Sequence, residues 1–145
     1  MNLLLPEILQ RVSNAKTKAE KVKILQEHNS PALRAILIWN FDHTVKSALP
    51  EGSVPYKPLD VPEGTIHTQL STEYRTLYNY VVGGNNEISD NKRQTLFIQL
   101  LESLHPSEAE LLCLVKDKEL QSKYRITKAV VEEAFSSIKW GGRGN

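Results

Sequence analysis

Apolar residues recur at Leu5, Ile8, Leu9 and Val12, the spacing of one face of an α-helix, with Pro6 tolerated in the first turn. Asn14 and Ala15 interrupt the stripe. Thr17, with Glu20 three residues on, has the form of a capping box for a second helix, carrying Val22 and Leu25 with Ile24 on the flank. Asn29 is its expected stop. Ser30-Pro31 opens a third helix by cap and proline. There Leu33, Ile36, Leu37 and Trp39-Asn40 leave the helix apolar nearly all round, which predicts burial. A short fourth turn is expected over His43 to Ala48.

Residues 49–70 break this regularity. Four of the chain's seven prolines fall there, with Gly52 and Gly64, so the segment reads as a long loop. Ser71 is the expected cap of the next helix, with Tyr74, Leu77, Tyr78 and Val81 on one face and Gly83-Gly84-Asn85-Asn86 as its end. Ser89 or Asp90 opens a strong helix carrying Leu96, Ile98, Leu100, Leu101 and Leu104. His105-Pro106 links it tightly to the next, with Ala109, Leu111, Leu112, Cys113 and Val115. Lys116 to Tyr124 is polar and basic. Thr127 caps a last helix with Val130, Val131, Ala134 and Phe135, and Trp140 is the anchor expected of the tail.

No stretch alternates long enough to make a strand, so the pattern predicts an all-α bundle of about seven or eight helices in a single domain. It divides into helical subdomains at 1–48 and 71–140, the Pro-rich loop 49–70 between them, and a tail at 141–145.

Composition narrows the function classes. The chain has 145 residues, is 40% hydrophobic and carries a net charge of +1, which supports one core and excludes a histone-like polycation or an acidic disordered tail. A single cysteine, Cys113, excludes a disulfide framework and a multi-cysteine zinc site, and suits a reducing cytosol. Uninterrupted apolar runs of a few residues do not span a bilayer, so no membrane role is expected. The start, Met1 to Pro6, lacks the basic leader and long apolar stretch of a signal peptide, and its leucines are expected to dock on the core.

Catalytic and cofactor signatures are missing from the pattern. His28, His43, His67 and His105 form no ligand-spaced pair, and no Gly-rich loop precedes a Lys-Ser/Thr as in a nucleotide phosphate loop. Cys113 reads as a small core residue, Glu108, Glu110, Glu132 and Glu133 as solvated helix surface, and Trp39, Tyr74, Tyr78 and Tyr80 mostly as core. The expectation is a non-enzymatic protein without metal or cofactor.

Charge is uneven. Residues 1–48 carry seven Lys/Arg against four acids, residues 49–105 four against seven, and residues 106–145 seven against six. Lys16, Lys18, Lys21 and Lys23 gather around the start of the second helix. Lys116, Lys118, Lys123, Arg125 and Lys128 gather around the start of the last. Free amides at a helix start, beside cationic side chains, make phosphate-binding chemistry; ordinary solvated lysines are the competing reading.

The order Thr95 to Ala109, then Ser122-Lys123-Tyr124-Arg125-Ile126-Thr127 leading into a final helix, resembles the N-terminal DNA-binding domain of ATP-dependent DNA ligases. Ile8-Leu9, the Thr-Lys-rich turn at 15–18, Lys23-Ile24-Leu25 and Asn29 are similar in order to phage ligases. The resemblance covers most of the chain outside 49–70, and Lys123 to Thr127 is its most specific part. Ser122 and Thr127 stand where that family prefers glycine. The whole chain also resembles an uncharacterised family of short proteins of large tailed bacteriophages, through Leu4-Leu5-Pro6-Glu7, Ile38-Trp39-Asn40 and Lys139-Trp140-Gly141-Gly142.

The ligase resemblance implies a domain that clamps the minor groove of duplex DNA through its phosphate backbone, without sequence preference. It places Lys123, Arg125, Thr127 and the Lys128 amide at the DNA, with Ser89, Asn91 and Lys92 as a weaker contact at a second helix start; Lys118, from the same basic cluster, completes the expected DNA-binding set. The nucleotidyltransferase Lys-x-Asp-Gly motif is absent, so ligation is not expected. The expected role is DNA binding in phage replication, repair or recombination, in the host cytoplasm, with a replication protein as a further candidate partner. The alternative is a helical adaptor for a sliding clamp, a host polymerase or a virion component, motivated by near-neutral charge, the apolar Leu3 to Leu5 and the loop 49–70.

Overall fold

Three prolines open helices in the computed structural model, which describes residues 3–59 and 68–141. A missing amide N–H costs nothing in a first turn, and the ring pre-sets the helical φ. Pro6 stands in α1 (Leu5–Asn14), Pro31 starts α3 (Pro31–Phe41) and Pro106 starts α6 (Pro106–Lys116). Side-chain caps fix the other starts. Thr17 Oγ1 accepts the Glu20 amide before α2 (Lys18–Glu27), and Ser89 Oγ accepts the Lys92 amide before α5 (Asp90–Ser103). Thr127 caps the short α7 (Lys128–Ala134), and Ser30 caps α3 through the Leu33 amide. With the four-residue α4 (Leu70–Glu73), the described residues hold seven α-helices and no strand. The fold is all-α, as the apolar spacing predicts.

Two segments depart from that spacing. The helix expected after residue 71 is one α-turn followed by a 3₁₀ helix, Tyr74–Tyr80. A 3₁₀ helix repeats every three residues, so Leu77 and Tyr80 face inward and Tyr78, placed inside by a 3.6-residue period, is 53% exposed. Ser71 lies within the α-turn rather than capping it, Gln69 holding the cap position. Of the turn expected at His43 to Ala48, His43-Thr44 forms a turn, the Val45 amide donating to the Asp42 carbonyl at 3.1 Å, and the chain is extended after it. The Ala48 amide donates to the Tyr80 carbonyl at 2.8 Å and the Val82 amide to the Lys46 carbonyl at 2.7 Å, an isolated antiparallel bridge.

The stretches on either side of the loop share one core. α2 packs on α7, α3 and α1 on α6, and α3 on α4, around Leu9, Leu25, Leu33, Leu37, Phe97, Leu101 and Leu112. Of the Pro-rich loop, residues 49–59 form an irregular strap over α5 and α6; residues 60–67 and, in the tail, residues 142–145 lie outside the described residues. No helix among the described residues is long and apolar enough to cross a membrane.

Candidate functional site

The two lysine-rich clusters of the sequence meet in one place, but only partly. Lys21 and Gln26 of α2 reach the carbonyls of Arg125 (2.7 Å) and Ala134 (3.2 Å), which lie before and at the end of α7. Contacts in that order mean that α2 and α7 run parallel, with their capped N-termini at the same end of the molecule. The positive ends of both helices therefore add there. Lys21 also donates to the Val12 and Ser13 carbonyls at 3.0 and 3.4 Å, covering the negative C-terminal end of α1 beside them.

At this end lies an open cleft of about 890 Å³. One wall is the α1–α2 turn, Ser13 to Lys16, with Lys21; the other is Gln121 with Arg125 to Thr127. Among the described residues no acidic side chain lines it, although the Glu20 carboxylate accepts the Lys16 amide at 3.4 Å beside that wall. The far wall is built by burial that alternates: Tyr124 and Ile126 are in the core, Lys123 and Arg125 are exposed. The Arg125 amide donates to Ser13 Oγ at 3.0 Å, tying the walls together. The Arg125 guanidinium and the Lys16 ammonium make no hydrogen bond or ion pair among the described residues. A concave site lined by unpaired cations, and by no carboxylate among the described residues, is suited to an anionic, phosphate-bearing ligand.

The structure divides the sequence-derived candidates. Arg125 and Thr127 line the cleft. Lys123 is solvent-exposed but ion-paired with Glu110, and that hydrogen bond raises its pKa. Lys128 lies 5.0 Å from the Trp140 ring centroid, a cation–π contact that fixes the tail. Lys118 is a correction. Its ammonium turns inward to the Trp39 and Asp42 carbonyls at the C-terminal end of α3, and burial lowers its pKa, so it serves as a helix cap. Lys116, from the same cluster, is 2% exposed and bonds to Pro50, Gly52 and Asp117. Ser89, Asn91 and Lys92 sit at the start of α5 beside the 79–88 turn, and none of them lines the cleft.

Glu108 is a second correction. It is 1% exposed and accepts the Leu70 amide at 3.2 Å, instead of lying on solvated surface. Lys16, Lys21, Ser13 and Gln121 are the site residues that the linear motif leaves out. The clustering of lysines at 16–23 was their one signal in the sequence.

A second cavity, about 190 Å³, lies beneath the 49–55 strap against Phe97 and Ile98, and its one cation is the already saturated Lys116. No group of three His, Cys, Asp or Glu that could hold a metal occurs among the described residues; His67 lies outside them. The Cys113 thiol is pushed up to about 11, chiefly by burial, which removes thiolate character at neutral pH.

No curated protein and no solved structure matches this chain. A family of unknown function, DUF6433, matches over residues 8–122, a stretch that holds the α1–α2 wall of the cleft and Gln121 and stops short of Arg125. The match spans well over half of the sequence, and the chain belongs to this family.

Proposed function

We propose that this protein binds duplex DNA through backbone phosphates, without sequence preference, at the cleft between the α1–α2 turn and the start of α7. One observation carries the reading: two parallel helices start at one end of the molecule, where Lys16 and Arg125, unpaired among the described residues, line opposite walls of a cleft whose described lining holds no acid. Phosphate contacts of this kind position a protein on DNA and read no bases. The resemblance to ligase DNA-binding domains at Lys123 to Thr127 supports the same reading, and with it a non-catalytic role in phage DNA replication, repair or recombination in the host cytoplasm. With few cations at the site, affinity is modest and salt-sensitive, in the range of about 10⁻⁴ to 10⁻⁶ M at physiological salt.

Fluorescence anisotropy with a short labelled duplex at several salt concentrations tests it. Arg125→Ala and Lys16→Ala each weaken binding similarly for unrelated sequences and lower the salt slope by about 1. Lys118→Ala changes the slope little, because its ammonium faces α3. Binding unchanged by Arg125→Ala removes the site.

A specific observation favours a second reading, a protein adaptor. Among the described residues Tyr78 (53% exposed) and Val82 (43%) are the exposed large hydrophobics, one in the 3₁₀ helix and the other in the turn that follows it. Loss of a partner on Tyr78→Ser, with no DNA retained at low salt, supports that reading over the first.

A further inference from the structure

We propose that Glu110 regulates the same cleft by withholding Lys123 from the DNA: its carboxylate occupies the place beside the Lys123 ammonium that a backbone phosphate takes on binding. The inference rests on the nucleic-acid reading above.

The geometry that supports it is local. Lys123 and Arg125 emerge on the solvent side of one short segment, separated by the buried Tyr124. Arg125 is unpaired and lines the cleft. Lys123, two residues away, is turned onto Glu110 of α6 and lies 5.7 Å from the Tyr124 ring centroid. The groups whose ionisation Glu110 otherwise influences are Tyr56, Cys113 and Tyr124, none of them cationic, so Lys123 is the charge it answers.

Both side chains of the pair keep about half their exposure, 44% for Lys123 and 52% for Glu110. An ion pair so solvated contributes little to folding, so a phosphate diester competes for the same ammonium on near-equal terms. Glu110 therefore lowers affinity in two ways. It removes one cation from the phosphate-binding set, and it presents a negative charge to the approaching strand. Releasing it adds one phosphate contact beside the one Arg125 makes.

Anisotropy titration of a short labelled duplex against the wild type and five full-length variants tests the idea. Glu110→Gln is expected to tighten binding by about three- to fivefold and to steepen the salt slope by about 0.9, the signature of one added phosphate contact. Lys123→Ala alone is expected to weaken binding, because it leaves the Glu110 carboxylate uncompensated before the strand, and Glu110→Gln/Lys123→Ala returns affinity to near that of the wild type. Glu119→Gln removes an equal charge from an exposed residue with no ion pair, and is expected to give less than half the gain of Glu110→Gln. The proposal is overturned if Glu110→Gln binds no tighter, if Glu110→Gln/Lys123→Ala still binds tighter than the wild type, or if Glu119→Gln matches the gain of Glu110→Gln. Arg125→Ala separates the two levels. If it weakens binding while Glu110→Gln does nothing, only the regulation fails; if neither the wild type nor Glu110→Gln binds at low salt, the DNA reading falls as well.

Discussion

The Lys21 ammonium donates to the Arg125 carbonyl across 2.7 Å, joining residues 104 positions apart in the chain. The same ammonium donates to the Val12 and Ser13 carbonyls, so one charge closes the end of α1, the side of α2 and the approach to α7. This places Lys21 beneath the cleft as its tie, and leaves Lys16 and Arg125 as the side chains free to meet a ligand.

Lys21→Met is therefore expected to destabilise the protein by about 2 kcal/mol, the loss of hydrogen bonds from a charged donor. Lys18→Ala, one turn away at an exposed position, changes stability by less than about 0.5 kcal/mol. Urea unfolding midpoints compare the two. Because Lys21 also holds the walls together, on the proposed DNA-binding reading its variant is expected to weaken binding beyond what one lost charge explains.

What the sequence discloses and what it hides follow from range. Thr17, Ser30, Ser89, Thr127 and the three helix-opening prolines are legible because a cap is satisfied within three residues of itself. Arg125 and Thr127 are legible in the same way, as a short basic run before a capped helix. Lys118 and Lys116 look alike in sequence to Lys123, yet their ammonium groups close on carbonyls more than sixty residues away. No local pattern distinguishes a buried cation from a solvated one when the partner is remote. Glu108 is hidden for the same reason, its partner amide being 38 residues away. The 3₁₀ helix at Tyr74–Tyr80 defeats the apolar spacing because periods of 3.0 and 3.6 agree over one turn and part only over two.

Lys116 holds the strap. Its side chain has no exposure, and it donates to the Pro50 and Gly52 carbonyls at 2.7 and 3.0 Å while pairing with Asp117 at 2.6 Å; Asp117 in turn accepts the Gly52 amide at 3.1 Å. Lys116→Met strips a partly buried carboxylate and two carbonyls of their partner at once, at an expected cost of about 3 kcal/mol. The strap then opens locally before the helices unfold. Chymotrypsin cleavage after Tyr56, in native buffer, is expected to rise well ahead of cleavage at core aromatics; equal protection in the variant and the wild type would show that the clamp does not govern the strap.

Alkaline pH weakens the fold through two buried acids. Burial, with the Glu73 charge adding, pushes the Tyr80 phenol from 10.0 up to about 12. Burial pushes the Cys113 thiol from 9.0 up to about 11, against the lowering effect of Lys116. In both cases the folded protein keeps a proton that the unfolded chain has released, so stability is fully present below the unfolded values and falls as pH rises through the window from about 9 to about 12. The slope contributed by each group is at most about 1.4 kcal/mol per pH unit. Cys113→Ala is expected to flatten the lower part of the decline. Tyr80→Phe is expected to flatten the upper part while preserving the edge-to-face contact with Phe97 at 5.0 Å between centroids. Denaturant unfolding at a series of alkaline pH values reads both effects.

Gly84 is demanded by contact, where its neighbour Gly83 is demanded by conformation. Gly83 takes φ +86°, the left-handed turn that ends the 3₁₀ helix. At Gly84 a Cβ would stand 1.9 Å from the Tyr78 carbonyl oxygen and 2.9 Å from its carbon, and both obstacles are backbone. The turn cannot relax cheaply, because the Arg93 guanidinium, 7% exposed as a residue, holds the Asn79, Asn85 and Ile88 carbonyls around it. Gly84→Ala is expected to cost about 3 kcal/mol and to lower the melting temperature by roughly 6–10 °C. Gly52→Ala meets nothing within 4 Å and pays only for its φ of +101°, about 1 kcal/mol. Circular-dichroism melting of the two variants side by side separates a steric requirement from a conformational one, and a loss at Gly84 no larger than that at Gly52 would mean that the 79–88 turn yields despite Arg93.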